Sequence, residues 1–290
     1  MRMGESLEVP SQDKILSDRM NLVRQIHKQA RQKLSEEVVH DLRVSIRRCR
    51  SIADAISEVD DDPSWLAMKK AGKRVFKRLG GVRDLHVMEG WVRHLAPEGD
   101  ALADQLQKTL KKEEEALLRR ADKAVRRFDR KQWKLWTKAL PKRLRREAFD
   151  PPVFEHLALR RWQEAFEQHH RAVLENTQDQ WHQLRIAVKR LRYVVENFLP
   201  QRQVEWGKDL HHLQDLLGEV HDLDVLWGRL CSLGDDFTPE QRKAWSEIID
   251  RERSNRLEQY KRLTAGEHSL WQKWRQGLPD GEDLEQASLA

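Results

Sequence analysis

His40, Arg43, Arg47 and Arg50 are spaced three, four and three residues apart, so on an α-helix they fall along one side as a stripe of imidazole and guanidinium groups. His182, Arg185, Lys189 and Arg192 repeat that spacing 142 residues later. Both strings, His40 to Arg50 and His182 to Arg192, follow one pattern: His-x-Leu-Arg-apolar-x-apolar-basic-Arg-x-Arg. Guanidinium forks and lysine ammonium groups hold oxyanions by charge and by hydrogen bonds. The stripe from His40 to Arg50 is about 15 Å long at 1.5 Å per residue, which suits an extended anion better than one phosphate. Histidine beside anions has its charged form favoured, which would tie affinity to pH near about 6.5.

Each stripe needs a helix anchored on its other side. Leu42, Ile46, Cys49, Ala53 and Ile56 form an apolar stripe at the same 100° step, and Leu184, Val188, Leu191, Val195 and Phe198 occupy the equivalent places in the second copy. A second pair of motifs follows, Leu79-Gly80-Gly81-Val82-Arg83-Asp84-Leu85-His86-Val87 and Leu217-Gly218-Glu219-Val220-His221-Asp222-Leu223-Asp224-Val225, offset by 138 residues. A third echo, Trp133-x-x-Trp136 and Trp271-x-x-Trp274, each followed by Leu-Pro, keeps that offset. Three landmarks in one order imply duplication of the whole unit, with halves from about 14 to 147 and from 153 to 279 and terminal tails at 1–13 and 280–290. Asp84 and Asp222 read as N-caps or as partners orienting an arginine rather than as metal ligands. His27 and His169, also 142 residues apart, form a second-tier pair.

Composition implies a soluble all-α protein. Charged residues make up 35% of the chain, and long amphipathic runs are broken at few places, Asp60–Pro63, Ala96–Gly99, Asp150–Pro152 and Gly234–Pro239. Eleven tryptophans are expected to fill bundle ends rather than to stack on bases. No apolar run reaches the length of a membrane span, and Met1–Pro10 lacks an apolar core for export, so a cytoplasmic location is expected. Cys49 and Cys231 sit among apolar neighbours and read as reduced thiols.

With a net charge of only +6, placement matters more than total. Runs such as Lys111 to Glu115 mix signs and read as a solvated surface, whereas the ladders carry no carboxylate in their stripe. Lys70, Lys73 and Lys77 form a further cationic stripe. Its counterpart holds Lys208, His211, His212 and Asp215, and is less basic.

The paired ladders, each followed by Leu-Gly-x-x-[Arg/His]-Asp-Leu-x-Val, resemble the CHAD family, the conserved histidine α-helical domain, over about residues 14 to 280. The resemblance implies a single all-α domain of two pseudo-symmetric four-helix bundles that binds inorganic polyphosphate, without catalysis or cofactor, in a basic central channel. It places His40, Arg43, Arg47 and Arg50 with His182, Arg185, Lys189 and Arg192 at the heart of the anion site. Lys70, Lys73, Arg74, Lys77 and Arg83, with Lys208, His211, His212 and His221, flank it. Lys189 replaces an arginine, Asp215 stands where Lys77 does and His221 where Arg83 does, so the first half is expected to bind more strongly. Association with polyphosphate granules, sensing and adaptor roles are equally open.

Two rival classes deserve weighing. The dipeptides His40-Asp41 and His221-Asp222 suggest a helical metal-dependent phosphohydrolase, but Asp41 becomes Gln183 and His221 corresponds to Arg83, so the duplication keeps the cations and discards the dipeptides. A nucleic-acid-binding protein would also use basic stripes. The ladders lack interleaved aromatics for stacking and Asn or Gln for base reading, which leaves nucleic acid as a non-specific polyanion only.

Overall fold

In the computed structural model the described residues are 11–149, 151–233 and 238–280, and they form ten helices with no strand among them. The helices are α1 (Gln12–Ala30), α2 (Glu36–Ile56), α3 (Pro63–Leu95), α4 (Ala101–Arg126), α5 (Arg130–Glu147), α6 (Pro151–Glu175), α7 (Gln178–Phe198), α8 (Pro200–Cys231), α9 (Pro239–Thr264) and α10 (Leu270–Gln276). The tails read from the sequence, apart from residues 11–13 and 280, lie outside the described residues, as do Asp150 and the break at 234–237.

Local chemistry explains the boundaries. Asp62 accepts a hydrogen bond from the Ser64 N–H and Pro63 opens α3; Asp100 caps α4 through the Leu102 and Ala103 N–H groups; Thr238 and Gln241 form a reciprocal capping box at α9. The α6/α7 junction lacks Pro or Gly and was therefore harder to read. There Asn176 takes a left-handed φ of 51°, and its side chain accepts from the Trp181 indole at 2.9 Å.

Each half contributes five helices, with α2 and α7 both 21 residues, α3 and α8 33 and 32, and α4 and α9 both 26. Hairpin neighbours pack α2 on α3 and α7 on α8, while α2 against α7 and α3 against α8 join the halves. The third echo does not extend to backbone structure: Leu140 and Pro141 lie inside α5, whereas Leu278 and Pro279 lie beyond the end of α10.

The apolar stripes are buried in full: Leu42, Ile46, Cys49, Ala53 and Ile56 in α2, and Leu184, Val188, Leu191, Val195 and Phe198 in α7. Truncating one such leucine would cost about 2–5 kcal/mol, so the ladders are held by their backs. Seven tryptophans, among them Trp65, Trp133, Trp181 and Trp245, are fully buried, as packing rather than base stacking requires. A second, smaller core joins the C-terminal part of α3 (Leu85, Val92) and α4 to the end of α8 (Leu223, Leu226) and Trp245 of α9. Trp245 donates its indole N–H to Asp100 at 3.0 Å, so one carboxylate caps α4 and ties the halves together. Arg143 of α5 grips Asp60 in the α2–α3 turn with two bonds of 2.6 Å, and Trp65 donates to the same carboxylate.

His27 is a core residue and His169 is half-buried. His27 donates Nε2–H to the Val125 carbonyl at 2.8 Å, and His169 shares a hydrogen bond with the Tyr260 hydroxyl. Cys49 is buried, with its thiol pushed up to about 12 by loss of hydration, and Cys231 is half-buried; both are free. Among the described residues no helix is long and apolar enough to cross a membrane.

Candidate anion-binding site

Val82 and Val220 belong to the larger core and Leu85 and Leu223 to the smaller, so the intervening Arg83, Asp84, His221 and Asp222 stand on the boundary between them. The ladders of α2 and α7 meet the same boundary. Arg43 senses the charge of Arg47 and Arg185, Arg47 that of Arg192, and Lys189 that of Arg47, Arg185, Arg43 and Arg192. Both ladders therefore converge on one cationic cluster.

The arginines are held in place by uncharged groups. Arg43 donates to the Phe76 carbonyl at 3.3 Å and lies 4.3 Å over its ring; Arg50 donates to the Lys69 carbonyl at 2.8 Å and shares the same ring. Arg47 and Arg192 lie over the ring of Tyr193, 5.9 and 5.3 Å from its centroid. The Nε groups of Arg47 and Arg192 are buried without a hydrogen-bond partner. Such groups cost free energy until something accepts from them.

Crowding of like charge shows in protonation. Burial, followed by the four neighbouring arginines, pushes Lys189 down to about 7. His221 is pushed down to about 4 by burial and by Arg185, and His40 is lowered by burial and by Arg83. In the unliganded protein His40 and His221 thus face cations, and an anion alongside would favour their charged form instead. His182 and His221 meet through their Nδ1 atoms at 3.2 Å.

Two carboxyls stand inside the cluster. Burial raises Asp222 to about 6 despite the opposing pull of Arg185, and Asp84, solvent-accessible yet set within the molecule, is also raised by loss of hydration against the pull of Arg43. Neither is an N-cap, since both lie inside long helices. They feel the charges of Arg43, Arg185 and Arg83, but neither makes an ion pair or side-chain hydrogen bond with an arginine among the described residues.

The flanking candidates divide by half. Lys70, Lys73, Arg74 and Lys77 are exposed on α3 and have no carboxylate partner among the described residues, while Arg83 pairs with Glu36 at 3.2 Å. On α8, Lys208 and His212 are exposed, whereas His211 lies 3.2 Å from Asp215 and accepts from Arg192 at 3.1 Å. The α8 side thus carries less free positive charge. Glu196 gathers Arg19, Arg48 and Arg192 at 3.4 to 3.7 Å, leaving Arg43, Arg47 and Arg185 without an ion pair among the described residues.

Sequence reasoning missed what the motif glycines do. A Cβ on Gly80 would stand 2.8 Å from Arg43 Nη1, and one on Gly218 would stand 4.0 Å from Arg185 Nε. Gly80 thus leaves room for the first arginine of its half's ladder, while Gly218 faces Arg185 at ordinary contact distance. The signal was their shared order in both halves. Phe76 and Tyr193 were not signalled as cation platforms, because a lone aromatic in a helix reads as core.

The CHAD domain family model matches residues 19–231. The crystal structure of the CHAD domain from the plant Ricinus communis aligns with a TM-score of 0.61 at 20% identity, covering 91% of this chain and 89% of that one. PptA from Streptomyces chartreusis aligns with a TM-score of 0.59 at 14% identity, covering 88% and 99% respectively. No curated protein matches the chain in sequence.

Proposed function

The chain belongs to the CHAD domain family, and from that premise we propose that it binds inorganic polyphosphate, without altering it, in a basic channel between the α2 and α7 ladders. The observation that carries this reading is the convergence of Arg43, Arg47, Arg185, Lys189 and Arg192 from two helices on one partly buried cluster. Asp84, Asp222 and Glu196 offset part of its charge, but Arg43, Arg47 and Arg185 make no ion pair among the described residues. A linear polyanion supplies roughly one charge per phosphate and rows of acceptor oxygens, which match unpartnered guanidinium donors better than a single phosphate does. The exposed lysines of α3 extend the track, so the first half carries the larger share of the grip. Nucleic acid would enter only as a competing polyanion.

Calorimetric titration with polyphosphate tests this on the parent protein and on Arg43→Ala, Arg47→Ala and Arg185→Ala. Each substitution should weaken binding about 10- to 100-fold, the worth of a charged hydrogen bond, and unchanged binding in all three would refute the site. Polyphosphate of matched charge should displace labelled DNA or RNA. No orthophosphate should be released with Mg²⁺ or Mn²⁺; robust metal-dependent release would make the protein a hydrolase instead.

A further inference from the structure

Away from the ladders, α1, the end of α4 and the start of α5 enclose a cavity of about 310 Å³, at the small end of the range for ligand sites. Arg24 and Lys28 reach it from α1, and Arg130, Lys131 and Lys134 from α5, with buried His27 and Phe128 completing the wall. It shares no residue with the cluster between α2 and α7. None of its lining residues is acidic.

The nearby carboxylates are committed elsewhere. Asp129 caps α5 by accepting from the Gln132 N–H at 2.9 Å, and Asp122 pairs with Arg126 at 2.7 Å. Lys28, Arg130, Lys131 and Lys134 make no ion pair among the described residues, and Arg24 donates only to the neutral Asn21 amide oxygen.

These cations are not demanded by the packing of α1 on α5. The offsets that relate the motifs carry Arg24 to Phe166, Lys28 to His170, Trp133 to Trp271 and Lys134 to Gln272. At that place in the second half a cavity of about 240 Å³ is lined by Trp162, Phe166, Trp271, Gln272, Arg275 and Gln276. Aromatic and amide groups fill the same structural position with a single cation. The five cations are exposed, so solvent screens their mutual repulsion in part, and an anion seated among them relieves what remains.

We infer that the α1–α5 cavity is a second anion site, built for compact phosphate anions of three or four charges and separate from the ladder site. Recognition is of the phosphates alone. The Phe128 ring is already engaged by His27 at 5.0 Å and by Trp133 at 5.3 Å, and it is 8% exposed, which leaves no face on which a nucleobase could stack.

Lysine acetylation footprinting of the full chain, read by mass spectrometry, tests this with tripolyphosphate and with ATP as probes. Both should slow acetylation of Lys28, Lys131 and Lys134 several-fold and to a similar degree, and this protection should persist in the ladder variant Arg47→Ala/Arg185→Ala. Protection confined to Lys73, Lys77 and Lys189, or abolished in the ladder variant, would overturn a separate site. Protection by ATP but not by tripolyphosphate would overturn the ligand class. In the parent protein, protection of Lys28, Lys131 and Lys134 with none at Lys73, Lys77 and Lys189 would count against the polyphosphate site and support this cavity.

Discussion

Replacing Lys189 by arginine isolates the electrostatic tension of the site. In the free protein burial and four arginines hold the Lys189 ammonium down to about 7, against 10.5 for the unperturbed group. A phosphate chain alongside favours the charged form, so binding above pH 7 must take up a proton. At pH 8.5 about 97% of the free protein carries neutral Lys189, and uptake approaches about one proton per site. Between pH 6 and pH 8.5 the cost of charging it rises by about 2 kcal/mol, a loss of about 30-fold in affinity. Arginine stays charged throughout, so Lys189→Arg should lack this component while retaining whatever pH dependence the histidines add. Polyphosphate titrations at both pH values, run in two buffers of different ionisation enthalpy, measure affinity and proton uptake together. Parallel weakening of parent and variant, with equal proton uptake, would refute a neutral Lys189 in the unliganded protein.

Other perturbations follow from the same geometry. Asp222→Asn should tighten polyphosphate binding several-fold at pH 8, where the carboxyl, raised to about 6, is ionised, and change little at pH 5, where it already holds a proton; titrations at the two pH values check this. Gly80→Ala places a methyl against the Arg43 guanidinium and should lower affinity about 10-fold with the net charge unchanged, and equal affinity would show that Arg43 need not lie over α3. Asp60→Asn removes the charge and one of the paired acceptors from Arg143 and should lower stability in urea unfolding at pH 7 without altering polyphosphate affinity. Asp60 is held below the ordinary carboxylate range, chiefly by Arg143, so its contribution is complete above the unfolded value of 3.8 and is lost as pH falls through the lower folded value. The destabilisation should therefore shrink in strong acid.

Much of the fold was legible because helices advertise themselves locally. The 100° spacing of Leu42, Ile46 and Cys49 needs only the burial of one face, and Asp62-Pro63 or Thr238-Pro239 carries its start signal in two residues. The α6/α7 junction was less legible, since Asn176 ends its helix through a left-handed backbone and a bond to Trp181 that only the folded chain reveals. The cationic residues of the two ladders were legible from their repeated spacing. Their protonation in the unliganded protein was not, because it depends on neighbours that folding supplies: His40 and His221 are set beside arginines that oppose their charge.

The sequence by itself determined that the chain is helical, that cations line one side of two helices, and which residues those are, since periodicity and charge are properties of neighbours along the chain. Only the tertiary structure decided that the two ladders converge, that Gly80 and Gly218 face Arg43 and Arg185, and that Asp84 and Asp222 stand among the cations rather than at helix starts. The physical reason is range. Hydrophobic spacing acts over one or two helical turns, whereas the protonation of Lys189 depends on charges brought from α2, more than a hundred residues away, into a medium that screens them poorly.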